Sequence, residues 1–285
     1  MSEKSAHRFY RDPRFPHIEV RDVRDARDVG YARHSHDSFS IGIVTGGRST
    51  YLHERGQDEV GAGAVVLMNP GAIHACNPVD SATWSYRMVH VDAAWLCRFQ
   101  CELGVDAAGS LHEFGVTSTM DAALHGGVAT LCDRFADSTE DEFARHEAIV
   151  ELATALHERF PRRPLPARSI PPGLARVAEY IAANYAQPVS LAELCKVSGL
   201  SESHLVRSFK KRFGMTPHEY LIDQRIRHSR HELRRGRPIA ELALELGFAD
   251  QAHLQRMFKR IVATTPGQYR LSNGAPVSPP LSATT

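Results

Sequence analysis

Leu191-Ala-Glu-Leu-Cys-Lys-Val-Ser-Gly199, followed by Ser201-Glu-Ser-His-Leu-Val-Arg-Ser-Phe-Lys210, returns as Ile239-Ala-Glu-Leu-Ala-Leu-Glu-Leu-Gly247, followed by Asp250-Gln-Ala-His-Leu-Gln-Arg-Met-Phe-Lys259. Each copy closes on a Thr-Pro pair and a tyrosine: Thr216-Pro217 with Tyr220, then Thr265-Pro266 with Tyr269. The offset is 48 residues at the glycines and 49 from His204 and His253 onward, so the second copy carries one extra turn residue. Repetition of this kind fixes architecture before any local reading. Each copy reads as a helix-turn-helix; in the first, a short amphipathic helix is followed by a turn at Gly199, an N-cap at Ser201 and a second helix. In the first copy Leu205, Phe209 and Phe213 share a face. Ser203, Arg207, Lys210 and Lys211 face the other way, with His204 alongside. In the second, Leu254 and Phe258 point inward, while Ala252, Arg256, Lys259 and Arg260 point out with His253 alongside. The cations repeat along with the core, which packing alone does not require.

A helix that enters the major groove needs fork-shaped donors for base edges and cations for phosphates. Arg207 and Arg256 are therefore expected to read bases. Ser203, Val206, Gln251, Ala252 and Gln255 are expected beside them, against base edges or thymine methyls. Lys210, Lys211, Lys259 and Arg260 are expected on phosphates. The intervening stretch 217–235 reads as one helix with proline in its first turn. At about 1.5 Å per residue it is a rod of about 27 Å, comparable to the roughly 34 Å between successive major-groove faces. The charge agrees: residues 173–271 hold sixteen Lys and Arg against nine Asp and Glu, net +7, and the rest holds eighteen against twenty-four, net −6. The expected partner is double-stranded DNA.

The N-terminal half has another period. Ser38-Phe-Ser-Ile-Gly-Ile-Val44, Ala64-Val-Val-Leu-Met68 and Trp84-Ser-Tyr-Arg-Met-Val-His-Val91 read as strands, punctuated by Gly46-Gly47 and Asn69-Pro70-Gly71. From about residue 119 the period becomes helical. Residues 120–135 and 140–160 read as helices, the second with an apolar stripe at Phe143, Ile149, Val150, Ala153, Leu156 and Phe160. That stripe either packs on its own domain or forms a dimer contact. Residues 161–172 carry five prolines and read as a semi-rigid linker, and 272–285 as a disordered tail. No apolar run reaches the ~20 residues of a membrane span, and the N-terminus has no signal-like apolar stretch. Cysteines 76, 97, 101, 132 and 195 show no framework spacing. A cytoplasmic protein with reduced thiols is expected.

The repeat resembles the AraC/XylS family of transcription regulators over about Leu174 to Arg270, most specifically in Ser203-His-Leu-Val-Arg-Ser-Phe-Lys-Lys211, Gly214-Met-Thr-Pro-His-Glu-Tyr220 and Ile239-Ala-Glu-Leu-Ala-Leu-Glu-Leu-Gly-Phe248. One departure stands out: Ala263 occupies the place that Gly214 holds in the first copy. If that turn keeps φ > 0 it is strained, and it is expected to be remodelled. Tyr31-Ala-Arg-His-Ser-His36, Gly46-Gly47, Gly63 and Asn69-Pro-Gly-Ala-Ile-His74 resemble the cupin-type sensor that often precedes such a reader. The resemblance implies an α+β multidomain chain. Residues 1–118 form a cupin-like β-barrel, 119–160 are dimerisation or linker helices, 161–172 are a linker, and 173–271 are an all-α reader with helix-turn-helix motifs at about 191–213 and 239–262. It implies a homodimer, more often activating than repressing, that contacts RNA polymerase when it activates.

The barrel is expected to hold an unknown small-molecule effector. By period 2, Trp84, Tyr86, Met88 and His90 share one face, and Ser40 continues the parity of His36. His34, His36, Ser40, His74, Trp84, Tyr86 and His90 are therefore the expected ligand-binding residues, with Arg33, Arg48 and Arg87 as possible anion anchors. His34, His36 and His74 stand where metal-binding cupins place histidines, but the glutamate of that set is missing, Ser40 and Ile41 standing there. The reading taken is a sensor without metal or other cofactor, and no catalysis. The alternative is a metal-dependent cupin enzyme, with those three histidines as ligands, fused to a DNA-binding domain.

Overall fold

The computed structural model describes residues 6–26, 30–54, 56–79, 82–105, 111–160 and 170–271. The expected linker and tail lie almost wholly outside these residues. In the N-terminal half, β1 (Ala6–Tyr10), β2 (Ile18–Arg24), β8 (Ser85–Val91), β3 (Phe39–Gly46), β6 (Val65–Met68) and β9 (Ser118–Thr119) form one antiparallel sheet in that order. A second sheet has the order β5 (Gly56–Gly61), β4 (Arg48–His53), β7 (Ala75–Pro78). Period 2 assigns each side chain to a face. Ile41, Ile43, Val65, Leu67, Val89 and Val91 pack against α1 (Ala93–Glu102), α2 (Ala122–Ala136) and α3 (Glu142–Arg159) through Leu96, Leu124, Leu131, Ile149 and Leu152. Val44, Val66, Met68, Tyr86 and Met88 face Tyr51 and Val60 of the second sheet, with Trp84. With both faces covered, the central strands read as nearly continuous apolar runs. The hairpin at Gly46-Gly47 needs its glycine: Gly47 has φ +71, and a Cβ there would lie 2.0 Å from the Thr83 carbonyl oxygen.

The apolar stripe of α3 is spent inside its own domain. Ile149, Ala153 and Leu156 are buried there, while Phe143 is left 74% exposed. Domain packing accounts for these three buried positions.

The reader comprises α4 (Pro172–Asn184), α5 (Leu191–Ser198), α6 (Glu202–Phe213), α7 (Pro217–Arg234), α8 (Ile239–Glu245), α9 (Gln251–Val262) and α10 (Pro266–Leu271). Helix α4 starts at the last residue of the expected linker, because proline suits a first turn. Capping boxes start α5 (Ser190 with Glu193) and α7 (Thr216 with Glu219). Helix α7 serves both repeats. Leu221 joins Leu194, Leu205 and Phe209 in one core, and Ile222, Ile226 and Leu233 join Leu242, Leu254, Phe258 and Tyr269 in the other. Arg225 ties the two together, donating to the Tyr185, Gln187 and Gly247 carbonyls at 2.7, 3.0 and 2.6 Å.

The turn at Ala263 is not remodelled. Ala263 takes the left-handed conformation at φ 59, and its N–H bonds Lys259 O at 2.9 Å as that of Gly214 bonds Lys210 O at 2.8 Å. The strain is held from outside the reader: Arg21 of β2 donates to the Val262 carbonyl at 2.8 Å, and Ala263 packs against the sensor cluster.

The two halves are seated on each other through buried polar pairs. Glu19 of β2 accepts from Arg11 at 2.7 Å and Arg230 at 3.3 Å, and from the Tyr269 hydroxyl at 3.1 Å. Burial alone raises its carboxyl, but Arg11, Arg234 and Arg230 outweigh it and hold the group well below the usual carboxylate range. Asp223 of α7 accepts from the Ser35 N–H at 3.1 Å and its hydroxyl at 2.6 Å. Here burial wins over those bonds, and the carboxyl is pushed up to about 7.

Two opposite pH signatures are expected. Glu19→Gln leaves three arginines facing an uncharged group and costs about 3 kcal/mol, read as a lower urea midpoint. Because the native pKa is depressed, that difference is full above the ordinary carboxyl pKa and shrinks as the pH falls below it. Asp223 is the reverse case. Its raised pKa makes the native state bind the extra proton, so stability falls as the pH rises from about 4 to about 7. Asp223→Asn removes that fall, and an unchanged stability–pH slope in the variant counts against it.

Candidate nucleic-acid interface and effector site

On α6 the side chains of Ser203, His204, Arg207, Lys210 and Lys211 are exposed and Val206 is half-buried. Leu205 and Phe209 beneath them are fully buried. On α9, Gln251, Ala252, Gln255, Arg256, Lys259 and Arg260 are exposed, and Leu254 and Phe258 are buried. Thus both helices carry the expected residues on an outward face. His253 is the exception. It is half-buried with its ring edge-on to Phe248 at 5.3 Å, so its ring is partly spent on packing. The Arg207 Nε–H donates to Ser203 O at 3.1 Å, which lays the guanidinium along its own helix. The sensor bonds backbone at the far ends of these helices and leaves their outward faces exposed. Arg33 donates to Gly214 O at 2.7 Å and the Ala32 N–H to Arg260 O at 3.0 Å.

In the barrel, the register places Ser40 opposite His90, Gly42 opposite Met88 and Val44 opposite Tyr86. Of these, His90, Met88, Val44 and Tyr86 border a cavity of about 50 Å³ lined also by Trp84, His34, His36 and His74, whereas Ser40, expected to bind ligand, lies behind the rings and does not line it. Trp84 stacks on Tyr86 with centroids 4.5 Å apart. His34 and His74 come from different loops and are joined by a two-way backbone bridge at 3.1 and 3.0 Å. Their rings are 4.4 Å apart, His36 is 4.5 Å from His74, and His90 is 5.1 Å from His36. The Ser40 hydroxyl sits between His90 Nδ1 at 2.7 Å and His36 Nδ1 at 3.3 Å. Burial, reinforced at His34 and His36 by neighbouring imidazoles, pushes these rings down: His74 to about 4, His90 to about 3, and His34 and His36 well below the ordinary value. All four are neutral near pH 7.

The structure adds residues that the pattern does not single out. Arg21 and Tyr31 also border the cavity. Arg21 donates to the Tyr31 hydroxyl at 2.9 Å while holding Val262 O, and Tyr31 makes a short hydroxyl contact with Tyr86. Arg21 Nε and Trp84 Nε1 are buried donors with no hydrogen-bond acceptor. The available signal was a charged residue at an alternating position of Ile18-Glu-Val-Arg-Asp-Val-Arg24, which reads as solvent-facing when the second domain is not in view. The three possible anion anchors are engaged elsewhere: Arg33 on Gly214 O, Arg48 with Glu59 at 2.6 Å and Arg87 with Asp133 at 2.6 Å. A larger cavity of about 600 Å³ lies between the halves, lined by Glu19, Asp37 and, from α7, Arg227, Arg230 and Arg234, with His36 and His90 in its wall.

Residues 15–157, half of the chain, match the AraC-like ligand binding domain, and residues 194–272 match a helix-turn-helix domain. An uncharacterized HTH-type transcriptional regulator of Bacillus subtilis, YbfI, is 29% identical over 253 residues, 84% of this chain and 87% of that one. The lactose operon transcription activator of Staphylococcus xylosus is 22% identical over 85% of this chain and 87% of its own length. Staphylococcus aureus regulators are up to 36% identical over 96 residues, a stretch that spans only 13% of those longer proteins. ToxT from Vibrio cholerae has the same fold, with a TM-score of 0.53 at 11% identity over 90% of this chain and 98% of that one. No helix among the described residues is long and apolar enough to cross a membrane. The alternative of a metal-dependent enzyme finds no support among these relatives. The chain belongs to the AraC family of transcription regulators, with an AraC-like ligand-binding domain joined to a tandem helix-turn-helix reader.

Proposed function

We propose that a small effector binds in the barrel cavity between the imidazoles of His34, His36, His74 and His90 and the wall of Trp84 and Tyr86, with Ser40 behind the rings of His36 and His90, and that Arg21 reports its arrival to the second recognition helix. The observation that carries this is the bridge: one guanidinium holds the Tyr31 hydroxyl in the cavity wall and the Val262 carbonyl at the end of α9. The unsatisfied Arg21 Nε and Trp84 Nε1 offer donors to a ligand with acceptor oxygens. A cavity of about 50 Å³ suits a compact ligand. An effector that draws Arg21 inward weakens its hold on the strained turn at Ala263, and the two sites become coupled through a named contact.

On the DNA side, Arg207 and Arg256 read bases, Ser203, His204, Val206, Gln251, Ala252 and Gln255 flank them, and Lys210, Lys211, Lys259 and Arg260 hold phosphates. His253 is kept in a supporting place because of its packing. The chain works in the cytoplasm as a homodimer on paired half-sites, without catalytic activity, and contacts RNA polymerase where it activates.

A second reading is favoured by the arginine-lined cavity between the halves. ToxT has been solved with an unsaturated fatty acid bound. In this chain a carboxylate in the 600 Å³ cavity would meet Arg227, Arg230 and Arg234.

Fluorescence anisotropy on the chain's own upstream DNA tests the reader. Arg207→Ala with Arg256→Ala is expected to lose site-specific binding, each change costing about 1–3 kcal/mol. Lys210→Ala weakens binding to all sequences alike and lowers the salt slope by about 1. Retained specificity in the double variant defeats the base-reading assignment. For the coupling, a ligand found by thermal shift should still raise the melting temperature of Arg21→Met but no longer alter its DNA affinity. Intact coupling in that variant rules Arg21 out.

A further inference from the structure

We propose that Arg225 is a positioning residue for DNA reading: it latches the second helix-turn-helix onto the first, and so sets the spacing and rotational phase of the two base-pair boxes that one chain reads. This role presupposes that α6 and α9 are the two recognition helices, as proposed above. DNA makes a strict demand on such a pair. One turn of about 10–10.5 base pairs rises about 34–36 Å, so one inserted base pair moves the second box by about 3.4 Å and turns it by about 35° around the axis. A reader tells the two spacings apart only if its heads hold still relative to each other.

Helix α7 by itself gives each head a separate seat. The first core takes Leu221 and the half-buried Tyr220 from α7, both near its start, and the second takes Ile222, Ile226 and Leu233. A slight roll of either head on its seat would shift its recognition helix, and the shifts would add across the pair. Arg225 removes that freedom by bonding head to head. It is buried, and its Nε–H donates to the Tyr185 carbonyl at 2.7 Å and its Nη2 to the Gln187 carbonyl at 3.0 Å, both in the connection that leads into the first helix-turn-helix. Its Nη1 donates to the Gly247 carbonyl at 2.6 Å, in the turn of the second. All three acceptors are carbonyls in different directions, so the planar fork of donors rather than the charge does the holding. The Tyr185 ring adds a second fastener, stacked on His228 of α7 with centroids 3.8 Å apart.

The two copies of the repeat differ at this point. Gly199 and Gly247 hold the same left-handed turn, at φ +73 and +78. A Cβ on Gly199 would meet nothing within 4 Å, whereas one on Gly247 would lie 2.7 Å from the Ala186 carbonyl oxygen and 2.8 Å from Arg225 Nη2. The second turn is thus pressed against the first head, while the first turn faces open space. The extra residue of the second copy falls between Gly247 and His253. That longer connection carries Phe248, which is buried in the second core, lies 5.8 Å from the Arg225 guanidinium carbon and meets the His253 ring of α9 edge-on at 5.3 Å. The latch therefore reaches the second recognition helix through Phe248, and the first head through the backbone at Tyr185 and Gln187.

The test uses the full chain and duplexes selected from a random DNA pool, with affinity read by fluorescence anisotropy. Arg207→Ala and Arg256→Ala assign each selected box to its head. The wild type is expected to select two boxes about one helical turn apart and to lose about tenfold or more in affinity when one base pair is inserted or removed between them. Gly247→Ala is expected to bind the original and the shifted duplexes within about threefold of each other, with wild-type affinity and salt slope on a single-box duplex. Gly199→Ala, which carries the same backbone strain without the contact, keeps the wild-type spacing profile. Arg225→Met behaves as Gly247→Ala does, and Arg225→Lys, which keeps the charge but not the fork, does not restore the profile. An unchanged profile in Gly247→Ala or in Arg225→Met overturns the latch, and so does an equal change in Gly199→Ala. Should Arg225→Met fail to fold, the two glycine variants decide. A wild-type selection that returns one box, or two boxes with no preferred spacing, defeats the two-reader assignment and the latch with it.

Discussion

Helix α7 is committed on every side, and the rest of the molecule is arranged by that fact. Its stretch Leu221 to Ile226 is buried without a break. Leucine and isoleucine in that stretch serve the two helix-turn-helix cores, Arg225 bonds three carbonyls across both, and Asp223 takes the sensor's Ser35. A turn further on, Arg230 meets the buried Glu19. A helix buried in this way cannot rotate for one neighbour without disturbing the others, because a buried polar group that loses its partner costs about 1–3 kcal/mol, and more when charged. The two DNA-reading heads therefore cannot be repositioned independently of the sensor.

This gives regulation a physical form. Besides the buried pairs at Glu19 and Asp223, the sensor bonds carbonyls at the helix ends, Gly214, Arg260 and Val262, and it leaves the outward cations exposed. With the reading faces already exposed, the coupling proposed above acts on how their ends are held. Coupling energies of about 1–3 kcal/mol are typical for such links, the scale of one or two of these bonds. Ala263 is placed where a small push matters, since a left-handed alanine persists only while its surroundings hold it.

The barrel shows the same economy. Four imidazoles that would be protonated readily in water are kept neutral by burial, with the tautomer of two of them set by local carbonyls. Neutral imidazoles packed ring against ring leave polar nitrogens beside the cavity.

Much of this was legible in the chain itself. The repeat, the outward Arg207 and Arg256, the glycine hairpin and the shared face of Trp84, Tyr86, Met88 and His90 follow from periods of 3.6 and 2, which are local consequences of backbone geometry. Period and spacing could not show that Glu19, Arg21 and Asp223 are buried, because each is a charged residue in a pattern that reads as solvent-facing until a second domain covers it. Nor could they show that the stripe of α3 closes on its own domain while Phe143 stays exposed, or that Ala263 keeps the turn that glycine would favour. Local pattern determines which side of a helix or strand a residue occupies; only tertiary contact decides what lies on that side, and here the sensor and the reader each supply the other's missing partners.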